Sequence, residues 1–283
     1  MDLERPDMNE AEFSSIRQLV FENTGISLAA SKKELVKRRF TPRLKDLGIS
    51  SFAAYVKHVK NNQEREMANF CNAITTNLTS FFRENHHYEF LKDEALPAIL
   101  RRNELTGRKI RLWSAGCSTG QEAYCLALTL RDSIPAIDRW DAKILASDLD
   151  EKCLEEAKSG VYSQHGLEKM SDDLVAKYFT EIDEVSKYKN GVLLQAKSEL
   201  KQMIRFNKLN LMNLSWPMRG KFDVIFCRNV FIYFDKDTQL ELVKRFSKLQ
   251  NPGSYLFLGH SETIANPKAA TYKLIGKTIY IRE

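Results

Sequence analysis

The side chain that most invites chemistry is Glu122, which closes the run Ser114-Ala-Gly-Cys-Ser-Thr-Gly-Gln-Glu122. Gly116 and Gly120 are separated by three residues, so the dinucleotide pattern G-x-G-x-x-G is not met. Gly120 is followed by Gln121 instead of the Lys-Ser/Thr of a P-loop. A phosphate asks for backbone donors and a cation, whereas this loop offers backbone donors and a carboxylate. Glu122 would repel a phosphate and suit a ligand that carries positive charge. S-adenosylmethionine is such a ligand, through its sulfonium and α-ammonium groups. A solvated glutamate favoured by the helix dipole is the alternative at this point.

Two further polar positions stand where a parallel sheet exposes its strand ends. Asp148 closes the run Ala142-Lys-Ile-Leu-Ala-Ser-Asp148, a position from which a carboxylate grips ribose hydroxyls. Arg228-Asn229 ends the apolar run Val224–Cys227 abruptly, where a doubly wound sheet places its ligand crevice. The stretch 75–84 is polar and β-branched before two Phe and Arg83; it reads equally as a pocket lining or as a capped helix start.

These positions need a scaffold, and the spacing supplies one. Ile110, Leu112 and Trp113 predict a strand before the glycine loop; Ala123, Leu126, Ala127 and Leu130 share one helix face after it. Residues 204–211 read as the next core strand with its exit loop, 238–249 as a helix, 254–258 as a strand and 278–281 as an edge strand. The region 160–202 breaks the strand–helix alternation. A short helix near 171–179 and a turn signal at Asn190-Gly191 predict an inserted antiparallel element there. Upstream, Asn9 with Glu12 predicts a capping box, followed by helices with apolar seams at Phe13/Ile16/Val20, Val36/Phe40/Leu44, Phe52/Tyr55/Val56/Val59 and Met67/Phe70/Cys71/Ile74. Pro42 is expected to kink or divide the second of these.

Composition narrows the class. At 283 residues the chain holds one large domain and a smaller one. The formal charge of +6 is local: residues 32–45 contain seven basic side chains and one acid, and the remainder is balanced. Such a patch fits an acidic partner surface better than general nucleic-acid affinity, a solvated helix face being the bland alternative. No apolar run approaches a membrane span, and Met1-Asp2-Leu3-Glu4 lacks a signal peptide's features, so a cytoplasmic protein without membrane insertion is expected. The five cysteines show no C-x-x-C pairing, and His86-His87 is adjacent, so free thiols and no metal site are expected.

With these blocks in view, the chain closely resembles the chemotaxis receptor methyltransferases of the CheR family. The carrying blocks are TTNLTSFFRE (75–84), LWSAGCSTGQEAY (112–124), ASDLD (146–150), FCRNVFIYFD (226–235) and GHSE (259–262). Five blocks in family order across nearly the whole chain are highly specific. Gln121 and Ala123 depart from the family's frequent Glu and Pro, while Glu122 is retained. The resemblance implies an all-α N-terminal domain (1–83) and a class I, Rossmann-like, doubly wound α/β methyltransferase domain (84–283) with a small antiparallel β-subdomain inserted (160–202). It implies transfer of methyl from S-adenosylmethionine to receptor glutamates, giving methyl esters and S-adenosylhomocysteine. The implied cofactor residues are Asn77, Thr79, Arg83, Glu122, Asp148, Asn210, Leu211, Arg228 and Asn229, with Arg83 and Tyr233 facing the transfer centre. The implied partners are cytoplasmic domains of methyl-accepting receptors, met by the basic segment Lys32–Lys45 and by the β-subdomain. A methyltransferase acting on another protein or on a small carboxylate is the competing reading.

Overall fold

The computed structural model describes residues 6–75, 77–182 and 191–283. The chain divides into two compact units. The first holds residues up to 76 with 210–214 and 233–238; the second holds 77–209, 215–232 and 239–283. The resemblance places this boundary after 83. The segment 77–83 groups with the second unit because Asn77 and Phe82 bond to Asp150 and Cys125 there.

The first unit is helical: α1 (Glu10–Thr24), α2 (Lys33–Asp46), α3 (Phe52–Asn61) and α4 (Gln63–Ile74). Asn9 and Glu12 exchange both bonds of the capping box, and Gly25 closes α1 at φ 71°, a left-handed position that glycine adopts without a Cβ clash. The apolar seams meet in an aromatic core where Phe40 stacks on Phe70 at 4.9 Å and tilts against Tyr55. Helix α2 runs unbroken through Pro42. The proline sits on the exposed side, where water can satisfy the Arg38 carbonyl that loses its i+4 donor. Beneath α2, the buried Glu66 carboxylate takes a fork from Arg43 (2.7 and 2.5 Å) and the Tyr55 hydroxyl at 3.0 Å.

The second unit begins with α5 (His86–Phe90), a π-turn and α6 (Leu96–Glu104). It continues with β1 (Lys109–Ala115), α7 (Gln121–Ser133), β2 (Asp141–Asp148), α8 (Glu151–Ser159), β3 (Val161–Ser163), α9 (Asp172–Tyr178), β4 (Phe179–Ile182), β5 (Leu193–Ala196), α10 (Ser198–Lys201), β6 (Ile204–Lys208), β7 (Val224–Cys227), α11 (Lys236–Lys248), β8 (Tyr255–Leu258), β9 (Tyr272–Gly276) and β10 (Ile279–Arg282). The first three residues of α11 belong to the helical unit.

The large sheet has the order β6-β2-β1-β7-β8-β10-β9. Its first five strands are parallel; β10 and β9 are antiparallel. Strands β7 and β8 are buried on both faces, as a sheet covered by helices requires. The expected core strand at 204 is an outer strand, β6, with three of its five residues exposed. The expected edge strand at 278–281 is interior: β10 pairs β8 on one side and β9, which the sequence reading missed, on the other.

The 160–202 region folds as a separate antiparallel sheet, β3-β5-β4. Asn190 of the expected Asn190-Gly191 turn lies outside the described residues, as do residues 183–189. All five cysteines are buried free thiols. Among the described residues, no helix is long and apolar enough to cross a membrane.

Candidate functional site

From β1 the chain passes to β2 on one side of the sheet and from there to β6; the later strands β7 and β8 lie on the other side of β1. The order therefore reverses between β1 and β7, the point at which an open α/β sheet places its ligand crevice, outside the strands' carboxyl ends. The loop after β1 turns through Gly116 (φ 88°), Ser118 (φ 49°) and Gly120 (φ 96°). A Cβ on Gly116 would lie 2.4 Å from Val230, and one on Gly120 would lie 2.8 Å from Ala157, so the backbone is close-packed where glycine stands.

Asp148 fixes this loop. Its carboxylate accepts the Ser118 amide at 2.7 Å and the Asp150 amide at 3.0 Å. Burial pushes its pKa up, more than these backbone bonds pull it down. Asp150 caps α8 and accepts the Asn77 side-chain amide at 2.9 Å, while Ser118 donates to the Asn77 carbonyl at 3.1 Å. Three segments far apart in sequence, at 77, 118 and 148–150, are thereby laced together.

The electrostatic centre is Arg228, whose side chain is 2% exposed. It lies 3.2 Å from Glu84 and 3.2 Å from Glu122, so one guanidinium serves two carboxylates. It also donates to the Arg83 carbonyl and lies 3.3 Å from the Tyr88 hydroxyl. The two acids respond oppositely. Burial raises Glu122's pKa, and neither Arg228 nor the 2.7 Å bond from Ser114 restores it. Burial also opposes ionisation of Glu84, but His260, Arg228 and Asn229 together outweigh it and hold the pKa at about 2. Taken as ionised, the cluster carries one surplus negative charge in a water-poor setting, which favours a cationic ligand.

The structure thus brings Asn77, Glu122, Asp148, Arg228 and Asn229 of the expected set to the loops at the strand ends. Arg83 and half-buried Thr79 lie on the adjoining 77–84 segment, and Arg83 donates to the Leu78 carbonyl at 2.9 Å. Asn229, at φ 60°, turns its side-chain amide to Glu84 at 3.3 Å. Asn210, Leu211 and Tyr233 belong to the helical unit. There Asn210 donates to the Asn23 carbonyl at 2.7 Å, Leu211 is buried and the Tyr233 carbonyl accepts the Ser27 amide at 2.8 Å.

Sequence reasoning missed Glu84 and Glu262. Both lie inside quoted blocks, but each has partners far away in the chain, Arg228 and His260 for Glu84 and Asn229 and Ile232 for Glu262. Glu262 is buried and accepts the amides of Gly259, Asn229 and Ile232. Among the described residues no group of three or more His, Cys, Asp or Glu stands together as a metal site.

Residues 77–281 match the family described as CheR methyltransferase, SAM binding domain, and residues 11–75 match its all-alpha domain. The chain belongs to the CheR methyltransferase family. It is 40% identical over 266 residues to a probable chemotaxis protein methyltransferase of Rhizobium etli, covering 93% of this chain and 96% of the relative. It is 39% identical over 279 residues to the chemotaxis protein methyltransferase of Escherichia coli, covering 98% and 92%. It is 40% identical over 269 residues to chemotaxis protein methyltransferase 2 of Pseudomonas aeruginosa, covering 95% and 92%. The expected fold is borne out: an all-α domain, a Rossmann-like methyltransferase domain and a small antiparallel sheet.

Proposed function

We propose that this CheR-family chain methylates glutamate carboxylates of chemotaxis receptors in the cytoplasm, with S-adenosylmethionine as donor and S-adenosylhomocysteine as product. The observation that carries this reading is the two-carboxylate, one-guanidinium cluster of Glu84, Glu122 and Arg228 at the point where the strand order reverses. The residues present fit the donor. Surplus negative charge meets its cationic groups, and Asp148 offers lone pairs to ribose hydroxyls. Asn77, Thr79, Asn210, Leu211 and Asn229 complete the proposed binding set. Bound there, S-adenosylmethionine supplies an electrophilic methyl group on a sulfonium.

The chain's own contribution is positioning. A receptor glutamate with an ordinary pKa near 4.3 is already ionised at neutral pH, so no general base is needed. An anion meeting a cation disperses charge as they react, so excluding water favours the transition state over the separated ions. Arg83 and Tyr233 are assigned to orienting the incoming carboxylate. A tight bidentate grip by Arg83 would blunt the nucleophile, so its role is steering.

The receptor face is proposed to be α2 of the helical domain. Four of the seven basic residues of the segment 32–45 have structural work: Lys33 and Lys37 pair with Glu10 and Asp7, Arg39 donates to the carbonyls that end α4, and Arg43 holds Glu66. Lys32, Arg38 and Lys45 are exposed and have no ion-pair partner among the described residues. Arg38 and Lys45, seven apart on one helix face, line a groove together with Leu35, Thr41, Pro42, Lys37 and the single acid Glu34, a net basic lining suited to an acidic receptor helix. The small β3-β5-β4 sheet is proposed as a second receptor contact.

Incubation with methyl-labelled S-adenosylmethionine and receptor-containing membranes tests the function. Alkali-labile label on the receptor supports a carboxyl ester; alkali-stable label, or none, rejects it.

A further inference from the structure

Arg83 stands between two non-glycine residues in left-handed backbone, Phe82 at φ 49° and Glu84 at φ 57°. Such conformations persist only where the surroundings over-determine them, and they concentrate at functional sites. On the near side the Phe82 amide is held by the Cys125 sulfur at 3.1 Å. On the far side Glu84 is held through its carboxylate, by donors from two distant turns. His260 gives its backbone amide at 3.0 Å and its ring Nδ1 at 2.8 Å; Asn229 gives its side-chain amide at 3.3 Å, and Arg228 pairs at 3.2 Å. Arg228 also takes the Arg83 carbonyl, so the same guanidinium fixes both residues.

The turn that delivers His260 is built for that task. Glu262 accepts the amides of Gly259 at 2.6 Å and of Asn229 at 2.9 Å, stitching the turn after β8 to the turn after β7. A Cβ on Gly259 would lie 2.8 Å from both the Asn229 backbone nitrogen and the Glu262 carboxylate, so only glycine permits this approach. Gly259 and Glu262 thus make the joint and His260 is its outward arm. The His260 side chain is 63% exposed, so it contributes little to the core.

We infer that Glu84 and His260 are positioning residues for Arg83: the caged Glu84 carboxylate locks the left-handed turn that aims the Arg83 side chain. This deepens the reading of Arg83 as the residue that orients the accepting carboxylate, and it rests on that reading. It also gives the Gly259–Glu262 turn a function.

The test compares His260→Ala, His260→Gln, Glu84→Gln, Arg83→Ala and the Arg83→Ala/His260→Ala double variant in receptor methylation, with calorimetric S-adenosylmethionine binding alongside. Loss of aim by about an ångström costs up to about a hundredfold in rate, so His260→Ala should lower kcat by about ten- to a hundredfold. Its cofactor Kd should stay put, its thermal midpoint should fall by less than that of Glu84→Gln because Arg228 and Asn229 still hold the carboxylate, and His260→Gln, which keeps a donor, should recover part of the rate. Glu84→Gln should lower kcat at least as far. Because His260 acts through Arg83, the double variant should be no slower than Arg83→Ala alone. Full activity of His260→Ala beside an inactive Arg83→Ala overturns the inference and leaves the role of Arg83 standing. Additive losses in the double variant also overturn it. Full activity of Arg83→Ala removes the underlying reading instead.

Discussion

Glu84 and Glu122 share one guanidinium at equal distance, yet replacing each by glutamine should have opposite consequences. The folded pKa of Glu84 is depressed from 4.5 to about 2 because its bonds from His260, Arg228 and Asn229 overcome burial. Its ionised form therefore stabilises the fold above pH 4.5, and that contribution is lost as pH falls toward 2. At about 1.36 kcal/mol per tenfold change in proton affinity, this depression is worth about 3 kcal/mol near neutrality. Glu84 is 10% exposed, so solvent screening takes little of this away. Glu84→Gln should therefore lower the thermal midpoint by roughly 6–12 °C, at about 2–4 °C per kcal/mol for a domain of this size. Glu122 has the opposite sign. Burial raises its pKa, so the folded protein bears a cost for its ionisation at neutral pH, and Glu122→Gln should leave stability unchanged or raise it. What Glu122→Gln should lose is affinity for a cation. A unit charge about 5 Å away in an effective dielectric of about 20 is worth about 3 kcal/mol, and sharing with Arg228 reduces that to about 1.5–3. S-adenosylmethionine should then bind roughly ten- to a hundredfold more weakly. Thermal unfolding and calorimetry on the two variants decide the matter. If Glu122→Gln unfolds as easily as Glu84→Gln and binds the donor normally, the surplus-charge argument is wrong.

Four other perturbations follow from the same geometry. Asp148→Ala removes the acceptor of the Ser118 amide and a proposed ribose contact, worth about 1.5–3 kcal/mol for a charged hydrogen bond, so calorimetry should show donor binding weakened about ten- to a hundredfold; unchanged affinity would place the ribose contact elsewhere. Arg38→Glu/Lys45→Glu should raise the receptor KM several-fold at low salt without touching cofactor affinity, whereas Arg43→Glu should unfold the helical unit by stranding buried Glu66, which circular dichroism would separate. His87 is buried and held neutral, its pKa pulled down to about 4 by burial and by Arg228, so the unfolded chain binds the proton first. Stability should fall as pH drops from 6.5 to 4, and His87→Asn should flatten that slope in urea titrations; an equal slope would remove His87 from the acid response.

The elements that carry the site were legible because their signals are local. The glycine loop, the carboxylate after it, the acid at the end of β2 and the Arg-Asn pair after β7 each announce themselves within a few residues. What stayed hidden depends on partners distant in sequence. Glu84 reads as a surface acid until Arg228 and His260, 144 and 176 residues later, are seen to surround it. Arg43 reads as part of a docking patch until Glu66, 23 residues on, is found buried beneath it. The tail misled for a related reason. Strand β9 exposes three of its five residues and shows no inward alternation, so it left no period-2 signal, and β10 was taken for the edge that β9 occupies. Pro42 misled through chemistry that was right in general: it does remove a helix bond, but on an exposed face the loss is absorbed by solvent.

The central claim is that the crevice between β1 and β7 is charged for a cationic methyl donor and against a pyrophosphate. Calorimetric titration of the full chain with S-adenosylmethionine and, separately, with NADH tests it directly. Saturable binding of S-adenosylmethionine with no measurable heat from NADH is the predicted result; binding of NADH with none of S-adenosylmethionine would contradict the account at its root.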